Sequence, residues 1–174
     1  MRVKLKPIFF LQSLVSLSGL QNCEKLRTLH LFNCPHLVDI QPIGKCSALQ
    51  SLRITGCPNI SDATPIASCA NLNELSLSGC AIEKIPNLKC KSLLQSLEIG
   101  SFALTDISFL QKCGKTLTHL SIDSPVLSDF SPLGYCAKLE WLSLNGCEQF
   151  EHLTSLSHLV NVKVLHLCRL PLLE

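Results

Sequence analysis

Apolar and polar positions alternate in short runs that return at one phase, with a period of 23 residues along most of the chain. LRTLHLFNC (Leu26–Cys34), LQSLRITGC (Leu49–Cys57), LNELSLSGC (Leu72–Cys80), LQSLEIGSF (Leu94–Phe102), LTHLSIDSP (Leu117–Pro125) and LEWLSLNGC (Leu139–Cys147) share the pattern, and VKVLHLCRL (Val162–Leu170) repeats it once more. Each Leu-x-Leu core has period two, which places two apolar residues on one face of a strand and the residues between them on the other. The phase never inverts, so every strand runs the same way. The pattern predicts a parallel sheet, one strand per coil, and at about 4.8 Å between strands seven of them span roughly 30 Å.

The other half of each coil is equally regular: LVDIQPI (Leu37–Ile43), ISDATPI (Ile60–Ile66), LTDISFL (Leu104–Leu110) and LSDFSPL (Leu127–Leu133). Proline suits the first position of a helical turn, and a preceding Ser or Thr can cap it. Pro65 and Pro132 follow Thr64 and Ser131, whereas Pro42 follows Gln41. The short return predicts 3₁₀ or single-turn helices on the convex side. The third return (Ala81–Leu88) is two residues shorter, and the fourth and fifth coils gain a residue after the cysteine and lose one after the strand.

Cysteines open the coils at 23, 46, 69, 90, 113 and 136, and four more (Cys34, Cys57, Cys80, Cys147) stand where the strand ends. Repeats of this length with Leu-x-x-Leu-x-Leu-x-x-Asn/Cys at their heart resemble leucine-rich repeats. The resemblance implies an α/β fold: a right-handed leucine-rich-repeat solenoid, with a curved parallel sheet on its concave face and short 3₁₀ or helical turns on its convex face. The DIQPI, DATPI and DFSPL segments look like the short-repeat class of internalins and of a protein phosphatase-1 regulatory subunit. GCPNISD (Gly56–Asp62) resembles the cysteine-containing repeats of F-box adaptors. The 23-residue unit with both cysteines is similar to leucine-rich-repeat proteins of trypanosomatids. The likeness spans residues 23 to 170 and implies a fold more than a function, and no F-box, RING or anchor sequence accompanies it.

The phasing divides the chain into a partial N-terminal repeat or degenerate cap (1–22), six coils (23–158) and a truncated repeat (159–174). Leu14, Leu17 and Leu20 occupy the phases of Phe150, Leu153 and Leu156. The uncapped ends suggest a fragment or end-to-end self-association, because solenoids need polar terminal caps. Lys4 and Lys6 before IFFLQSLVSLSGL faintly resemble a signal peptide, but Gln12 and Ser13 interrupt the apolar run and the repeat phase accounts for its leucines.

Composition fits a stacked apolar interior, at 47% hydrophobic and 16% charged residues. Ten of the 11 cysteines fall at two repeat phases, as small buried residues do, with those at the strand ends hydrogen-bonding the turn backbone. Unpaired thiols favour an intracellular, reducing compartment, with a secreted or surface location as the alternative. The spacing lacks the close pairs of a zinc site, so neither metal nor cofactor is expected. By strand parity only Cys168 departs from the two phases and points outward. With 15 basic against 13 acidic residues and no basic stripe, nucleic acid is not an expected partner, and no stretch is apolar enough to span a membrane.

The outward strand positions form three columns down the sheet. They offer His30, Phe32, Arg53, Glu74, Glu98, His119, Asp123, Trp141, Asn145 and His166 as candidates to contact a partner protein, among small residues that leave room for it. Arg53 and Trp141 are the expected anchors, since arginine and tryptophan dominate interface energetics. His119, Ser121 and Asp123 carry the residue types of a hydrolase triad, but alternate residues of one strand lie about 6.6 Å apart, beyond the roughly 3 Å that proton transfer needs. The expected function is a non-catalytic protein-interaction module. The alternatives are a substrate-recognition arm of a ubiquitin ligase, a phosphatase regulatory subunit and a surface or secreted ligand binder.

Overall fold

The computed structural model describes residues 12–88 and 93–174. Within them seven strands form one open parallel sheet in sequence order: β1 (Thr28–Phe32), β2 (Ser51–Thr55), β3 (Glu74–Ser78), β4 (Ser96–Gly100), β5 (His119–Asp123), β6 (Trp141–Asn145) and β7 (Val164–Cys168). The register has no slip. Thr28 pairs with Ser51, Ser51 with Glu74, Glu74 with Ser96, Ser96 with His119, His119 with Trp141 and Trp141 with Val164. The sequence phase therefore becomes a spatial column. Register holds because a one-residue slip would turn every inward leucine to water. Leu75 and Leu77, for example, are fully buried between their register neighbours Leu52 and Ile54 on one side and Leu97 and Ile99 on the other.

The return side keeps period three. Cys34, Leu37, Ile40, Ile43, Cys46 and Leu49 are all buried, each three residues from the last. Their amides follow the same step: Leu37 donates to the carbonyl of Cys34, Ile43 to Ile40, Cys46 to Ile43 and Leu49 to Cys46. Three residues per turn is the geometry of a 3₁₀ helix, which stacks i and i+3 on one side. The 3₁₀ turns Gln41–Lys45, Thr64–Ser68 and Ser131–Tyr135 each hold a proline near their start. The expected short returns are present, but their capping is different. Neither Thr64 nor Ser131 caps; each is already the first residue of its turn. Instead an aspartate two residues earlier accepts the backbone N–H of that position: Asp39 from Gln41 at 2.7 Å, Asp62 from Thr64 at 2.8 Å, Asp106 from Ser108 at 2.7 Å and Asp129 from Ser131 at 2.9 Å. The Asx turn accounts for the aspartate that recurs in these four returns.

Length variation is absorbed by changing rise per residue. The shortened third return, Ala81–Leu88, has no helical turn; Lys84 forms an isolated parallel bridge with Asp106. Extended backbone rises about 3.3 Å per residue against about 2.0 Å in a 3₁₀ helix, so fewer residues cover the same distance. The extra residue of the fifth coil is taken up where α1 (Leu110–Cys113) runs into the 3₁₀ turn Gly114–Thr116.

The residue lost after β4 and β5 is a left-handed one. After β1, β2, β3 and β6 the chain turns at Asn33, Gly56, Gly79 and Gly146, with φ of 51°, 67°, 67° and 62°, before an inward cysteine. The two shortened coils omit that residue and send Ser101 and Ser124 directly inward. These serines are 3% and 0% exposed, and their hydroxyls donate to the carbonyls of Ile82 and Leu104 at 2.8 and 2.9 Å. Phe102, which the sequence alignment sets at the buried cysteine phase, is 82% exposed for this reason. Gly56 also has no room for a side chain: a Cβ there would lie 2.4 Å from Oδ1 of Asn33.

Two further expectations need correction. Cys23 shares the phase of buried cysteines yet is exposed, because no described coil stacks outside it. At the other end the inward Leu165 of β7 is 43% exposed, with no strand beyond β7. Cys90, Lys4, Lys6 and the apolar run Ile8–Leu11 lie outside the described residues.

Candidate functional site

The sheet presents its outward face as three columns, as the phase predicts. Thr28, Ser51, Glu74, Ser96, His119, Trp141 and Val164 form the first column. His30, Arg53, Ser76, Glu98, Ser121, Ser143 and His166 form the second, and Phe32, Thr55, Ser78, Gly100, Asp123, Asn145 and Cys168 the third. All ten candidate residues fall on these columns. The structure divides them into separate local groups.

At the β1–β3 end, Ser51 donates to Glu74 Oε2 at 2.7 Å, and the Arg53 guanidinium forms an ion pair with Glu74 Oε1. Burial raises the Glu74 carboxyl, but the Ser51 hydroxyl and the Arg53 charge outweigh it and hold it below its ordinary value. Arg53 is therefore half committed to its own sheet. His30 and Phe32, two residues apart on β1, meet edge to face with ring centroids 6.0 Å apart.

In the middle, Glu98 accepts from Ser76 at 2.9 Å and from Ser78 at 3.0 Å, and Asp123 accepts from the Asn145 amide at 2.7 Å. Neither carboxylate has a cationic partner within ion-pair distance among the described residues. At the β5–β7 end Trp141 is half-buried between two histidines. The His119 ring stacks on it at 6.4 Å and the His166 ring meets it edge-on at 5.5 Å. The serines that orient these acids are the functional detail the sequence reading passed over. Ser51 lies one 23-residue repeat before Glu74, a spacing the sequence gives directly, whereas Ser76 and Ser78 lie 22 and 20 residues before Glu98 and need the register across the shortened coil.

His119, Ser121 and Asp123 sit side by side on β5 without hydrogen bonding one another. His119 Nδ1 is 2.9 Å from Oγ1 of Thr118, and Asp123 is taken by Asn145. Among the described residues, no group of three or more His, Cys, Asp or Glu is arranged to hold a metal ion. Two shallow cavities on the described surface lie away from the columns. One of about 250 Å³ is bordered by Phe130, Phe150 and His152 on the return side, and one of about 280 Å³ by Leu156, Leu159 and Leu165 at the last coil. No helix of the described residues is long and apolar enough to cross a membrane.

The inward thiols are chemically quiet. Sγ of Cys34 and Cys57 donate weakly to the strand-end carbonyls of Phe32 and Thr55, at 3.5 and 3.6 Å. Those of Cys46 and Cys69 reach across the coil to Leu20 and Ile43, at 3.5 and 3.6 Å. Burial pushes Cys80 and Cys136 up to about 12 and Cys147 up to about 11; burial and the neighbouring Cys57 push Cys34 up to about 11. No disulfide forms among the described residues, and Cys168 is exposed, as its parity requires.

A stack of coils, each giving one parallel strand and one short return, is the leucine-rich-repeat fold, and this chain has it. Residues 24–68 match the family model for leucine-rich repeats in two copies. In solved structures the chain is similar to internalin InlF of Listeria monocytogenes, with a TM-score of 0.65 and 22% identity over 88% of this chain and 51% of that one. It is also similar to a leucine-rich-repeat protein of Leptospira interrogans (TM-score 0.59, 18% identity, 84% of this chain and 44% of that one). A further likeness is to the functional domain of Listeria monocytogenes InlJ, which includes a cysteine ladder (TM-score 0.58, 17% identity, 84% and 36%). The chain thus spans about half the length of the first of these and less of the other two. No curated protein matches the sequence. At these identities the likeness is one of fold.

Proposed function

We propose that this chain is a protein-interaction module that binds a partner protein on the outward face of its parallel sheet and catalyses nothing itself. The leucine-rich-repeat fold commonly serves protein interaction, which supports the class. The observation that carries the reading is the make-up of the outward columns. A floor of Ser, Thr and Gly is interrupted by side chains already held in place: Arg53 on Glu74, Glu98 on two serines, Asp123 on Asn145 and Trp141 between two histidines. Groups fixed before binding lose little entropy on binding, which is what a recognition surface needs. His30, Phe32, Arg53, Glu74, Glu98, His119, Asp123, Trp141, Asn145 and His166 are the proposed contact set. We take residues 23–158 as the six coils that build it, with partial repeats at 1–22 and 159–174. The thiol-rich interior favours a reducing, intracellular setting.

The test is affinity capture from native extract with wild type and a Trp141→Ala/Ser143→Arg variant, both confirmed folded by circular dichroism. The variant removes the tryptophan and fills the floor beside it without touching an inward position. A partner held by wild type and lost by the variant supports binding on the sheet face. A partner held equally by both moves the interaction to the return side or the ends, and the proposal fails.

A further inference from the structure

The outward face differs in sign from the rest of the molecule. The chain carries a formal net charge of +2. The outward strand positions instead hold three carboxylates, Glu74, Glu98 and Asp123, against one cation, Arg53. That cation is ion-paired with Glu74. The two remaining carboxylates flank Ser121. Glu98 lies directly across from it on β4, and Asp123 stands two residues along on β5, so the carboxylate-bearing positions are about 8 Å apart on the diagonal. On the other sides of Ser121 stand His119 on its own strand and, on β6, Ser143 directly across with Trp141 and Asn145 at the diagonals. Gly100, opposite Asp123, adds no side chain. The result is a shallow cup with a short hydroxyl at its centre, two anions on its rim and an indole beside it.

Each of those anions is oriented, yet neither has an ion-pair partner among the described residues. The hydroxyls of Ser76 and Ser78 and the Asn145 amide use part of each carboxylate's capacity, which is about four acceptor sites. The Trp141 indole, at the diagonal from Ser121 on β6, sets an aromatic ring beside the same point, a second attraction for a cation. We propose that the partner presents a basic segment to this face, with a lysine or arginine side chain seated over Ser121 between Glu98, Asp123 and Trp141. The proposal rests on the sheet face being the binding surface, and it names the chemistry of the occupant.

Selection of binders from a displayed library of random linear peptides, made without tryptophan, tests both statements separately. Selected peptides are then titrated against wild type, a Glu98→Gln/Asp123→Asn variant and the Trp141→Ala/Ser143→Arg variant. Trp141 is the only tryptophan, so its emission reports binding at the cup. The amide variants keep size and one acceptor oxygen per side chain, remove the charge, and turn the second oxygen into an N–H donor. The expected result is enrichment of lysine or arginine, a change in Trp141 emission, affinity that falls with added salt, and a loss of at least about ten-fold in the amide variant. Peptides without a cation, or peptides indifferent to the amide variant, that still depend on Trp141 and Ser143 overturn the basic occupant and leave the binding face standing. Peptides that ignore both variants, or no peptides at all, overturn both.

Discussion

One leucine position recurs on all seven strands, and it provides a graded test of how the molecule is held together. Leu29, Leu52, Leu75, Leu97, Leu120, Leu142 and Leu165 are register partners from β1 to β7. The first six are at most 5% exposed, while Leu165 on the outermost strand is 43% exposed. Replacing a buried leucine by alanine loses its transfer energy and leaves a hole that neighbours only partly fill, for a total of about 2–5 kcal/mol. Leu75 is fully buried with a coil stacked on each side, so Leu75→Ala belongs in the upper half of that range. At Leu165 nearly half of the side chain is already in water and the gap opens to solvent. The cavity contribution disappears and the transfer contribution falls to about 1 kcal/mol.

Urea unfolding followed by far-ultraviolet circular dichroism measures the difference. The midpoint should drop much further for Leu75→Ala than for Leu165→Ala, with the slope m unchanged if the coils unfold together. A lowered m in the central variant would mean that the stack has split into separately melting halves, as nearest-neighbour coupling allows. Equal costs at Leu75 and Leu165, or a cost below about 1 kcal/mol at Leu75, would refute the view that stacking between coils supplies the stability.

Two other predictions follow from the polar and thiol groups. Asp62 and Asp106 are held below the ordinary carboxylate range, the first by hydrogen bonds from the Thr64 side chain and backbone, the second by those from the Ser108 backbone and side chain. Their stabilisation is complete above the unfolded value of about 3.9 and is lost as pH falls through the lowered folded values. Asp62→Ala/Asp106→Ala should cost about 0.5–2 kcal/mol per site at pH 7 and flatten the decline in urea midpoint below pH 4; an unchanged acid limb would count against the Asx turns. A maleimide reagent at neutral pH should modify Cys23 and Cys168 quickly and leave Cys34, Cys80, Cys136 and Cys147 intact until urea is added, as peptide mapping would show. Rapid labelling of Cys80 or Cys136 in the native chain would contradict their placement.

Much of this architecture is legible in the spacing of leucines, because a period-two core repeated at constant phase leaves a parallel sheet as the only consistent pairing. The columns of the outward face follow from the same arithmetic, and all ten proposed contact residues lie on them. What escaped the sequence reading was local and came from backbone geometry. Aligning Phe102 with the buried cysteines assumed a constant turn length after each strand. The turn after β4 lacks the left-handed residue that Asn33, Gly56, Gly79 and Gly146 supply elsewhere, so Ser101 goes inward in its place. Proline drew attention to Ser and Thr as caps, whereas the aspartate two residues before the turn had the right reach. Side-chain partnerships such as Ser76–Glu98 needed the register to be certain before they could be read.

The division of labour between faces explains why this fold reveals its architecture so readily and its partner so poorly. Inward positions are chosen by a stack that penalises every departure: Leu or Ile on each buried strand, cysteine where a turn meets the core, and serine only where the turn is shortened. Outward positions meet no such constraint, and here they vary from serine to tryptophan without disturbing the register. Variation that costs the fold nothing is free to serve recognition. Departures from serine, threonine and glycine include Arg53–Glu74, Glu98 and Asp123, and His119–Trp141–His166, three places where side chains hold one another or are held by neighbours. The first group is neutralised within the molecule. The other two lie around Ser121, two carboxylates without an ion-pair partner among the described residues and an aromatic ring, which is where the proposed basic segment would sit.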